Sequence, residues 1–367
     1  MTERARQPER PDPSALTEWL RGDGHCADVV MSSRVRLARN VAGFAFANRA
    51  SRPQRLQVLD SCRAQLESAP IGAKVIWHDL HRTPATDREL LVERHLISRQ
   101  HSRGKQSTGA GGVEEPRGVA VTEPDERISI MVNEEDHLRI QVIRCGLDLA
   151  RVMAEADEVD DKLESGLRYA FSPRFGYLTA CPTNVGTGMR LSVMLHLPGL
   201  RLTGNIDKAK RAAADMSLAV RGFYGEGSEA AGDFYQISNQ TTLGKTEKVL
   251  LHEMEQQILP QVINFERVER KKMMDKRRHD LEDQVFRALG VLTSARLLTT
   301  EESMQHLSLV RLGVVMGLIQ HLTVQAVNHL MLLTQPFHLR LTVGKDLDQD
   351  QRRLARADLM RQKLSIK

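Results

Sequence analysis

The sequence predicts an α+β domain followed by an all-helical domain, and three observations lead to this division. Short runs rich in β-branched residues alternate with helical stretches from Ala27 to about residue 250. Beyond that point the pattern becomes long, charged and helical. The chain has 367 residues, 41% of them hydrophobic, which is enough for one large and one smaller core. We therefore predict a disordered N-terminus at residues 1–17, a catalytic-sized domain at residues 18–260 and a helical domain at residues 261–367.

Composition narrows the class of protein. The 52 Lys and Arg residues exceed the 47 Asp and Glu residues by only 5 charges, so no concentrated nucleic-acid-binding tract is indicated. No apolar run is long enough to span a membrane, and no secretion signal precedes the first strand-like run. The four cysteines lie far apart without a CxxC pair, which argues against a zinc site. These features predict a cytoplasmic protein without a metal-ligand set, and without direct nucleic-acid or membrane partners.

The N-terminal elements begin with a charged, proline-rich stretch, MTERARQPERPDP, which we expect to be frayed. A helix is predicted to begin near SALTEWLRG. In SSRVRLARN, Arg34 and Arg36 alternate with Val35 and Leu37, so both guanidinium groups would leave the same face of a strand, about 7 Å apart at their Cα atoms. This spacing suits adjacent phosphates of a nucleotide, although an exposed basic strand face is the alternative.

A polar, glycine-rich interruption, SRGKQSTGAGGVEEPRG, predicts a mobile loop ahead of the next strands. The runs ISIMV and LRIQV then predict two partly buried strands. Three carboxylates lie between these runs, Glu134, Glu135 and Asp136, with Arg139 three residues further on. They could form a solvated turn that His137 or Arg139 neutralises, or a cleft wall that binds a cation.

Two glycine-containing turns follow. In CPTNVGTGMR, Gly186 and Gly188 separate Cys181 from Arg190, so backbone amides and a guanidinium could together bind an anion. Buried cysteines are usually small hydrophobic residues, but Cys181 beside this turn could also be a thiolate favoured by positive charge. Arg221 opens a glycine-rich loop, RGFYGEGSEAAGDF, which could close over a ligand or be an ordinary surface loop.

The C-terminal part contains one misleading motif and one clear helix start. NQTTLGKTEK ends like a P-loop, but Asn239 stands where the first glycine is required, so Lys245 and Thr246 are predicted to begin a helix. No Rossmann or protein-kinase motif is present. Thr299 and Glu302 have the spacing of a capping box.

Taken in order, SSRVRLARN, VNEEDHLRI, CPTNVGTGMR and RGFYGEGSE resemble the catalytic domain of the phosphagen (guanidino) kinases. Only about 30 residues precede the first motif and a helical domain follows the last, an arrangement similar to the protein-arginine kinases of that superfamily. The resemblance extends from about residue 18 to the C-terminus. It implies an antiparallel sheet flanked by helices, with ATP and Mg²⁺ as cofactors.

The resemblance also implies roles for individual residues. Glu135 would hold the substrate guanidinium, together with Glu226 as in the arginine-specific members, and we add Cys181 to this catalytic set. Gln236 stands where creatine-type enzymes have an aspartate, a departure that protein-arginine kinases share. The predicted nucleotide-binding residues are Ser32, Ser33, Arg34, Val35, Arg36, His95, Arg139, Arg190, Leu191, Ser192, Val193, Met194, Arg221, Gly222, Phe223, Tyr224 and Gly225. For His95, the alternative is a histidine on a helix surface.

Near the C-terminus, QRRLARADLMRQ resembles an RDxxRA element that senses phosphoarginine on another subunit, with Arg353 in place of its aspartate. Arg352 and Arg356 are four residues apart, so they would share one helix face and could bind a phosphate between them. A solvated basic helix is the alternative.

The resemblance thus implies ATP-dependent phosphorylation of exposed arginine side chains in proteins, marking them for Clp-type proteolysis in the stress response. The implied partners are protein substrates, an activator protein, a Clp protease and a second copy of the chain in a homodimer. A kinase of free arginine or another small guanidino compound is one alternative. The other is a weakly active adaptor or a basic protein associated with nucleic acid.

Overall fold

The structure is a computed structural model that describes residues 15–104, 114–223 and 231–364. Most of the N-terminus predicted to be frayed lies outside the described residues, and so does the centre of the glycine-rich segment near residue 110. The tip of the loop that follows Arg221, with Tyr224, Gly225 and Glu226, also lies outside them.

Within these ranges the chain forms strands that alternate with helices up to Asn239 and helices alone from Glu247 onward. The strands are β1 (Val30–Arg39), β2 (Lys74–His78), β3 (Gly118–Glu123), β4 (Ile128–Val132), β5 (Leu138–Cys145), β6 (Phe171–Ser172), β7 (Gly176–Tyr177), β8 (Met189–His196), β9 (Leu218–Arg221) and β10 (Phe234–Asn239). The α-helices are α1 (Arg52–Ser68), α2 (Ala85–Glu93), α3 (Arg99–Arg103), α4 (Leu149–Glu164), α5 (Pro198–Leu202), α6 (Ile206–Asp215), α7 (Glu247–His252), α8 (Leu259–Lys276), α9 (Arg278–Ser294), α10 (Thr300–Val315), α11 (Val324–Leu333), α12 (Pro336–Val343) and α13 (Gln349–Leu364).

The chain divides into two compact units. The first comprises residues 1–17, 36–142 and 153–189, and the second comprises residues 18–35, 143–152 and 190–367. Neither unit is continuous in sequence, because strands β1, β5 and β8 and helix α4 each contribute residues to both.

The first unit contains an antiparallel sheet in which β2, β3, β4 and β5 pair in chain order. Its register places Ile130 opposite both Ala120 of β3 and Ile140 of β5. Strand β4 is buried along its whole length, as its apolar sequence requires. One core cluster packs residues of β3 and β4 against the segment from Leu80 to Ile97, which includes α2. This arrangement places the turn between β4 and β5, with its three carboxylates, at one end of the sheet.

The second unit contains the antiparallel order β8, β10, β9, in which Gln236 lies opposite Met194 of β8 and Arg221 of β9. Helices α5 to α13 belong to the same unit. Their starts follow the sequence closely. Thr246 accepts a hydrogen bond from the backbone N–H of Val249 at the start of α7, and Thr299 with Glu302 forms the predicted capping box of α10. The helix-start reading of Thr246 is therefore confirmed.

Two predictions about local structure are wrong. The helix expected at SALTEWLRG is only a three-residue 3₁₀ helix, Glu18–Leu20, and Gly22 soon follows with a φ of 72°. Trp19 and Leu20 are buried, so tertiary packing outweighs local helix propensity here. The segment SRGKQSTGAGGVEEPRG is predicted to be a mobile loop, but at its described end Arg117 is buried and donates to the carbonyl groups of His101 and Ser102.

None of the helices in the described residues combines the length and the apolar character that spanning a membrane requires.

Candidate active site

The three adjacent carboxylates have three different environments. Glu134 has a side chain only 3% exposed, and it pairs with Arg139 at 2.5 Å. The hydroxyl of Ser98 donates to its other oxygen at 2.5 Å. Burial on its own would raise the pKa of Glu134, but the charge of Arg139 and the hydrogen bond from Ser98 hold that pKa below its usual value. Glu134 therefore remains ionised and fixes the position of Arg139.

Asp136 is also buried, and it connects two segments of the first unit. Its Oδ1 accepts from the side-chain amide of Asn40 and from the backbone N–H of Ala180, both at 2.7 Å. Burial raises its pKa. Because Ala180 directly precedes Cys181, this bond places the Cys181 segment beside the carboxylate turn.

Glu135 is the carboxylate that faces solvent, since its side chain is 37% exposed. Its nearest contact with Arg139 is long, at 4.0 Å, and Arg139 makes its short contact with Glu134 instead. The alternative in which Arg139 neutralises a carboxylate of this turn thus applies to Glu134. Glu135 is thus the most exposed of the three carboxylates.

Asn40, at the end of the SSRVRLARN motif, holds the two segments together. Its amide N–H groups donate to Asp136 and to the carbonyl of Leu178, and its oxygen accepts from the backbone N–H of His137. Sequence reasoning did not assign Asn40 a role. The only signal was its place in the motif, because its partners lie about a hundred residues further along the chain.

The Cys181 thiol is partly exposed and lies 3.0 Å from the hydroxyl of Thr183, in the turn of 3₁₀ helix that follows. Nearby, buried Arg39 donates to the carbonyl of Thr187 at 3.0 Å and ion-pairs with Asp160 at 2.6 Å. The ring of Tyr177 lies 3.6 Å from the Arg39 guanidinium carbon. Arg39 therefore fixes the glycine turn between Cys181 and Arg190, a role that sequence reasoning missed.

His95 lies just past the end of α2, in the left-handed region with a φ of 60°, and not on a helix surface as the alternative proposed. Its carbonyl accepts from the side chain of Gln141 at 2.7 Å. Gln141 and Arg139 are two residues apart on β5, so they project from the same face of that strand. His95 therefore lies over the face that carries Arg139.

The second unit gathers other predicted phosphate ligands. Arg34 donates from Nε to the hydroxyl of Ser192 at 3.2 Å and from Nη2 to Gln236 Oε1 at 2.6 Å. Gln236 is in turn the cross-strand partner of Arg221. A carboxylate in place of Gln236 would form an ion pair with Arg34 and compete with a phosphate for it. The neutral amide orients Arg34 without neutralising its charge.

Strand β8 is buried along its length except at Arg190. Arg190 is partly exposed, whereas Leu191 and Val193 are completely buried. The side chains of Leu191 and Val193 pack in the core, so a nucleotide contact from these two residues would have to come from the backbone. Ser192 lies on the other face with Arg190, and so does the nearly buried Met194.

The SSRVR run in β1 shows the same division. Arg34 and Arg36 are partly exposed, whereas Ser32, Ser33 and Val35 are buried. The hydroxyl of Ser33 donates to the carbonyl of Gly146 and accepts from the backbone N–H of Asp148.

Beyond Arg221, the backbone of Gly222 is described, and Phe223 is buried against Trp19 and Phe234. Together with Ser33 and Val35, Phe223 has its side chain committed to structure and not to a nucleotide. Contacts from these three residues would have to come from the backbone.

Comparison with known proteins identifies the family. The profile of the ATP:guanido phosphotransferase C-terminal catalytic domain matches residues 57–269, and that of the protein-arginine kinase McsB C-terminal domain matches residues 278–367. The protein-arginine kinase of Symbiobacterium thermophilum is 44% identical over 96% of this chain and 97% of its own length. The protein-arginine kinase of Halothermothrix orenii is 42% identical over 96% of this chain and 97% of its own length. The chain belongs to the protein-arginine kinase family.

Solved structures agree with the guanidino kinase fold. The duplicated taurocyamine kinase from Schistosoma mansoni, with bound components of a transition state analogue, aligns with a TM-score of 0.58 and 29% identity. The alignment covers 71% of this chain and 36% of that longer one. Lombricine kinase aligns with a TM-score of 0.56 and 24% identity over 71% and 72% of the two chains, which supports the fold alone. The prediction of an antiparallel sheet flanked by helices, followed by a helical C-terminal part, is confirmed.

Within the C-terminal region that this family shares, the structure corrects the predicted phosphate-sensing pair. Arg356 lies on α13 but is 2% exposed, and it donates to the carbonyl groups of Thr334 and Leu298 at 2.8 and 2.9 Å. It therefore ties α13 to α11 and to the segment before α10, and does not share an open face with Arg352. Arg352 is partly exposed and donates to the carbonyl of Leu347.

Proposed function

We propose that this chain transfers the γ-phosphoryl group of ATP to arginine side chains of proteins. The observation that carries the proposal is the arrangement of the carboxylate turn, in which Glu134 holds the phosphate-binding candidate Arg139 at 2.5 Å and the side chain of Glu135 beside it is 37% exposed. The names of the relatives support the same reaction, since each is called a protein-arginine kinase.

The chemistry explains why a carboxylate is needed. A guanidinium has a pKa far above 7, so removing its proton at pH 7 before the reaction would cost about 8 kcal/mol. A glutamate is too weak a base to do so in advance. Glu135 instead orients the guanidinium nitrogen and accepts its proton as the N–P bond forms. Glu226, which lies outside the described residues, would be the second carboxylate of this pair.

The phosphates of ATP need fixed positive charge. We assign this role to the five arginines of the motifs, with Arg34 oriented by Ser192 and Gln236 and Arg139 oriented by Glu134. The others are Arg36, Arg190 and Arg221. A phosphoryl group in transfer spreads its charge over its oxygens, which fixed guanidinium groups stabilise.

Mg²⁺ fits this scheme as a companion of the nucleotide. The described residues include no group of three or more His, Cys, Asp or Glu side chains arranged to hold a metal ion. Mg²⁺ is usually held by substrate phosphates and water with few protein ligands, so the donor set is compatible with it. It would supply further charge neutralisation at the phosphates.

We also propose the biological setting on the family resemblance alone. Phosphorylated proteins would be marked for Clp-type proteolysis under stress in the cytoplasm, with an activator protein and a homodimeric kinase. The preference for protein substrates over free arginine is part of the same proposal, and the experiment below includes both substrates.

The proposal is tested with Glu135→Gln, which keeps the size of the side chain but removes its charge. We expect phosphoarginine formation on an unfolded protein with ATP and Mg²⁺ to fall by about 10² to 10⁴-fold, because the catalytic proton acceptor is lost. ATP affinity should change little, since the short ion pair of Arg139 is with Glu134, whereas its contact with Glu135 is long. Mass spectrometry of the substrate protein and a nucleotide-binding titration measure the two quantities.

Glu67→Gln is the matched control, because Glu67 is an exposed carboxylate of the same unit paired with Arg63. It should retain wild-type activity. A wild-type chain that phosphorylates free arginine but no protein would support the small-molecule alternative. A chain without phosphoryl transfer to either substrate would support the adaptor. Near-normal transfer by Glu135→Gln would contradict the role of Glu135.

A further inference from the structure

A continuous chain of buried hydrogen bonds connects α10 with the ends of two strands in the second unit. Arg311 on α10 lies 2.8 Å from Nδ1 of His196, the last residue of β8. Nε2 of His196 lies 2.9 Å from the hydroxyl of Ser308, and this hydroxyl donates to Asp233, just before β10, at 3.0 Å. Arg311, His196 and Ser308 are all 0% exposed.

The donor and the acceptor of each of these hydrogen bonds follow from the chemistry of the groups. An arginine can only donate, so Nδ1 of His196 must accept, and the single proton of a neutral ring then lies on Nε2. His196 therefore donates to Ser308, which leaves the serine hydroxyl free to donate to Asp233. Burial, followed by the charges of Arg311 and Arg270, holds the pKa of His196 well below its usual value, in agreement with a neutral ring.

Two buried arginines extend the same connection to the segment that enters β1. Arg311 donates to the carbonyl groups of Ala27 and Asp28 at 2.7 and 3.2 Å. Arg270 on α8 donates to the carbonyl groups of Asp28 and His196 at 3.0 and 2.9 Å. The helices thus hold the start of β1, the end of β8 and the start of β10 by directional bonds.

Backbone packing shows that α10 and the segment before β10 are closely fitted. A Cβ on Gly232 would lie 2.7 Å from the carbonyl oxygen of Met304 on α10. Asp233 itself has a φ of 61°, an unfavourable conformation for a residue with a side chain, so its partners must hold it there. Those partners are Ser308 and Arg201, and Phe234 then stacks on the ring of His196 at 4.6 Å.

The three strand ends belong to the strands that carry the phosphate-binding candidates. Arg34 lies on β1, Ser192 on β8 and Gln236 on β10, and these three side chains are hydrogen-bonded to one another through Arg34. Gln236 is only three residues from Asp233, about 10 Å along an extended strand. A shift of Asp233 would therefore move the amide that orients Arg34.

We infer that His196, Ser308 and Asp233 are positioning residues through which helix α10 sets the geometry of the phosphate-binding Arg34. This inference rests on the proposed function, because it takes Arg34 as a nucleotide ligand. On this view the C-terminal helices are required for ATP binding. The buried hydroxyl of Ser308 is the link that can be removed with least disturbance to packing.

The decisive variant is Ser308→Ala. We expect its KM for ATP to rise about tenfold, since removing the hydroxyl leaves Nε2 of His196 and Oδ2 of Asp233 without this partner in the core. The KM for the protein substrate should change less, because the carboxylate turn belongs to the other unit. Ser308→Thr keeps the hydroxyl and should restore a KM near that of the wild type.

Ser303→Ala is the matched control. Ser303 lies on the same helix and is also 0% exposed, but its hydroxyl has no hydrogen-bond partner among the described residues. Its removal should leave the KM for ATP unchanged. Should Ser308→Ala fail to fold, Ser308→Cys preserves volume while weakening the hydrogen bonds, and it should raise the KM where Ser308→Thr does not. An equal KM in the Ser308 and Ser303 variants would overturn the inference.

Amide hydrogen exchange tests the role of Ser308 independently of whether the proposed kinase function is right. Peptides covering β8 and β10 should exchange faster in Ser308→Ala than in Ser303→Ala, whether or not ATP is bound. A wild-type chain that neither binds ATP nor transfers phosphate would overturn the proposed function, and the exchange comparison would still decide whether Ser308 fixes these strands. Unchanged exchange in Ser308→Ala would show that it does not.

Discussion

Glu134 and Asp136 are both buried carboxylates, yet the structure gives them opposite dependences on pH. The charge of Arg139 and the hydrogen bond from Ser98 lower the pKa of Glu134 in spite of its burial. For Asp136, burial outweighs the hydrogen bonds from Ala180 and Asn40 and raises the pKa. Ionisation of Glu134 thus favours the folded state, whereas ionisation of Asp136 opposes it.

We therefore predict that Glu134→Gln lowers the free energy of unfolding at pH 7 by about 3 kcal/mol, because it removes the carboxylate charge of a buried ion pair with Arg139. Since the folded pKa of Glu134 lies below the ordinary 4.5, its contribution is present above about pH 4.5 and is lost as the pH falls through the folded value. The deficit of the variant should shrink over that range. Urea denaturation at pH 7, 5 and 4 measures it.

Asp136→Asn is the control for this prediction. The amide oxygen can still accept from Asn40 and Ala180, and the unfavourable ionisation is removed. Its deficit at pH 7 should be clearly smaller than that of Glu134→Gln. A deficit for Glu134→Gln that stays constant from pH 7 to pH 4 would contradict the assignment of the charge to Glu134.

At the scale of elements, the turn between Cys181 and Arg190 shows how a glycine and an arginine determine each other's position. Gly188 has a φ of 63°, and a Cβ there would lie 2.7 Å from both the Ala38 carbonyl oxygen and Arg39 Nη1. The backbone N–H of Ala38 also donates to the carbonyl of Gly188 at 2.9 Å. The turn is thus pressed against the end of β1 and cannot accept a side chain without moving Arg39.

Gly188→Ala should consequently destabilise the chain through two effects, the left-handed backbone at about 1–2 kcal/mol and the steric clash at about 1–3 kcal/mol. Gly204→Ala separates them. Gly204 has a similar φ of 72°, but a Cβ there would meet no atom within 4 Å. We expect only the first effect at Gly204, measured as a smaller shift of the urea midpoint. Equal shifts in the two variants would contradict the steric argument.

At the scale of the whole molecule, the elements that sequence predicted well are those specified by local patterns. The alternation of Arg34 and Arg36 with Val35 correctly indicated a strand, and Thr299 with Glu302 correctly indicated a helix start. These signals depend on residues within a few positions of one another. The residue pattern alone did not predict which of the three neighbouring carboxylates is most exposed, because a turn has no regular periodicity.

What the sequence could not indicate are partners that only the fold brings together. Asn40 meets Asp136 across 96 residues, and Arg311 meets His196 across 115. Arg356 illustrates the same limit, since its helix position was predicted but its burial depends on the carbonyl groups of Leu298 and Thr334. A basic residue on a charged helix gives no local sign that its guanidinium is used inside the protein.

The division into a catalytic and a helical domain is also open to test. The two family profiles meet between residues 269 and 278, at the junction of α8 and α9, close to the proposed boundary at residue 260. Within the second unit, however, Asn328 donates to the carbonyl of Leu20, and Arg311 donates to those of Ala27 and Asp28. The N-terminal segment of this unit therefore depends on helices that lie beyond the junction.

We predict that a chain ending at Arg277 will not fold to a cooperative native state. It would lack the donors to Leu20 and Ala27 and one of the two donors to Asp28, and it would expose the apolar surface against which Met304, Leu307 and Val310 are buried. Urea denaturation should show no cooperative transition, and an ATP titration should show no binding. A chain ending at Leu364, which keeps α13 complete, should behave like the full-length protein in both measurements. If the chain ending at Arg277 unfolds cooperatively and binds ATP with unchanged affinity, the helical region is an independent domain, and the buried bonds from α10 do not determine nucleotide binding.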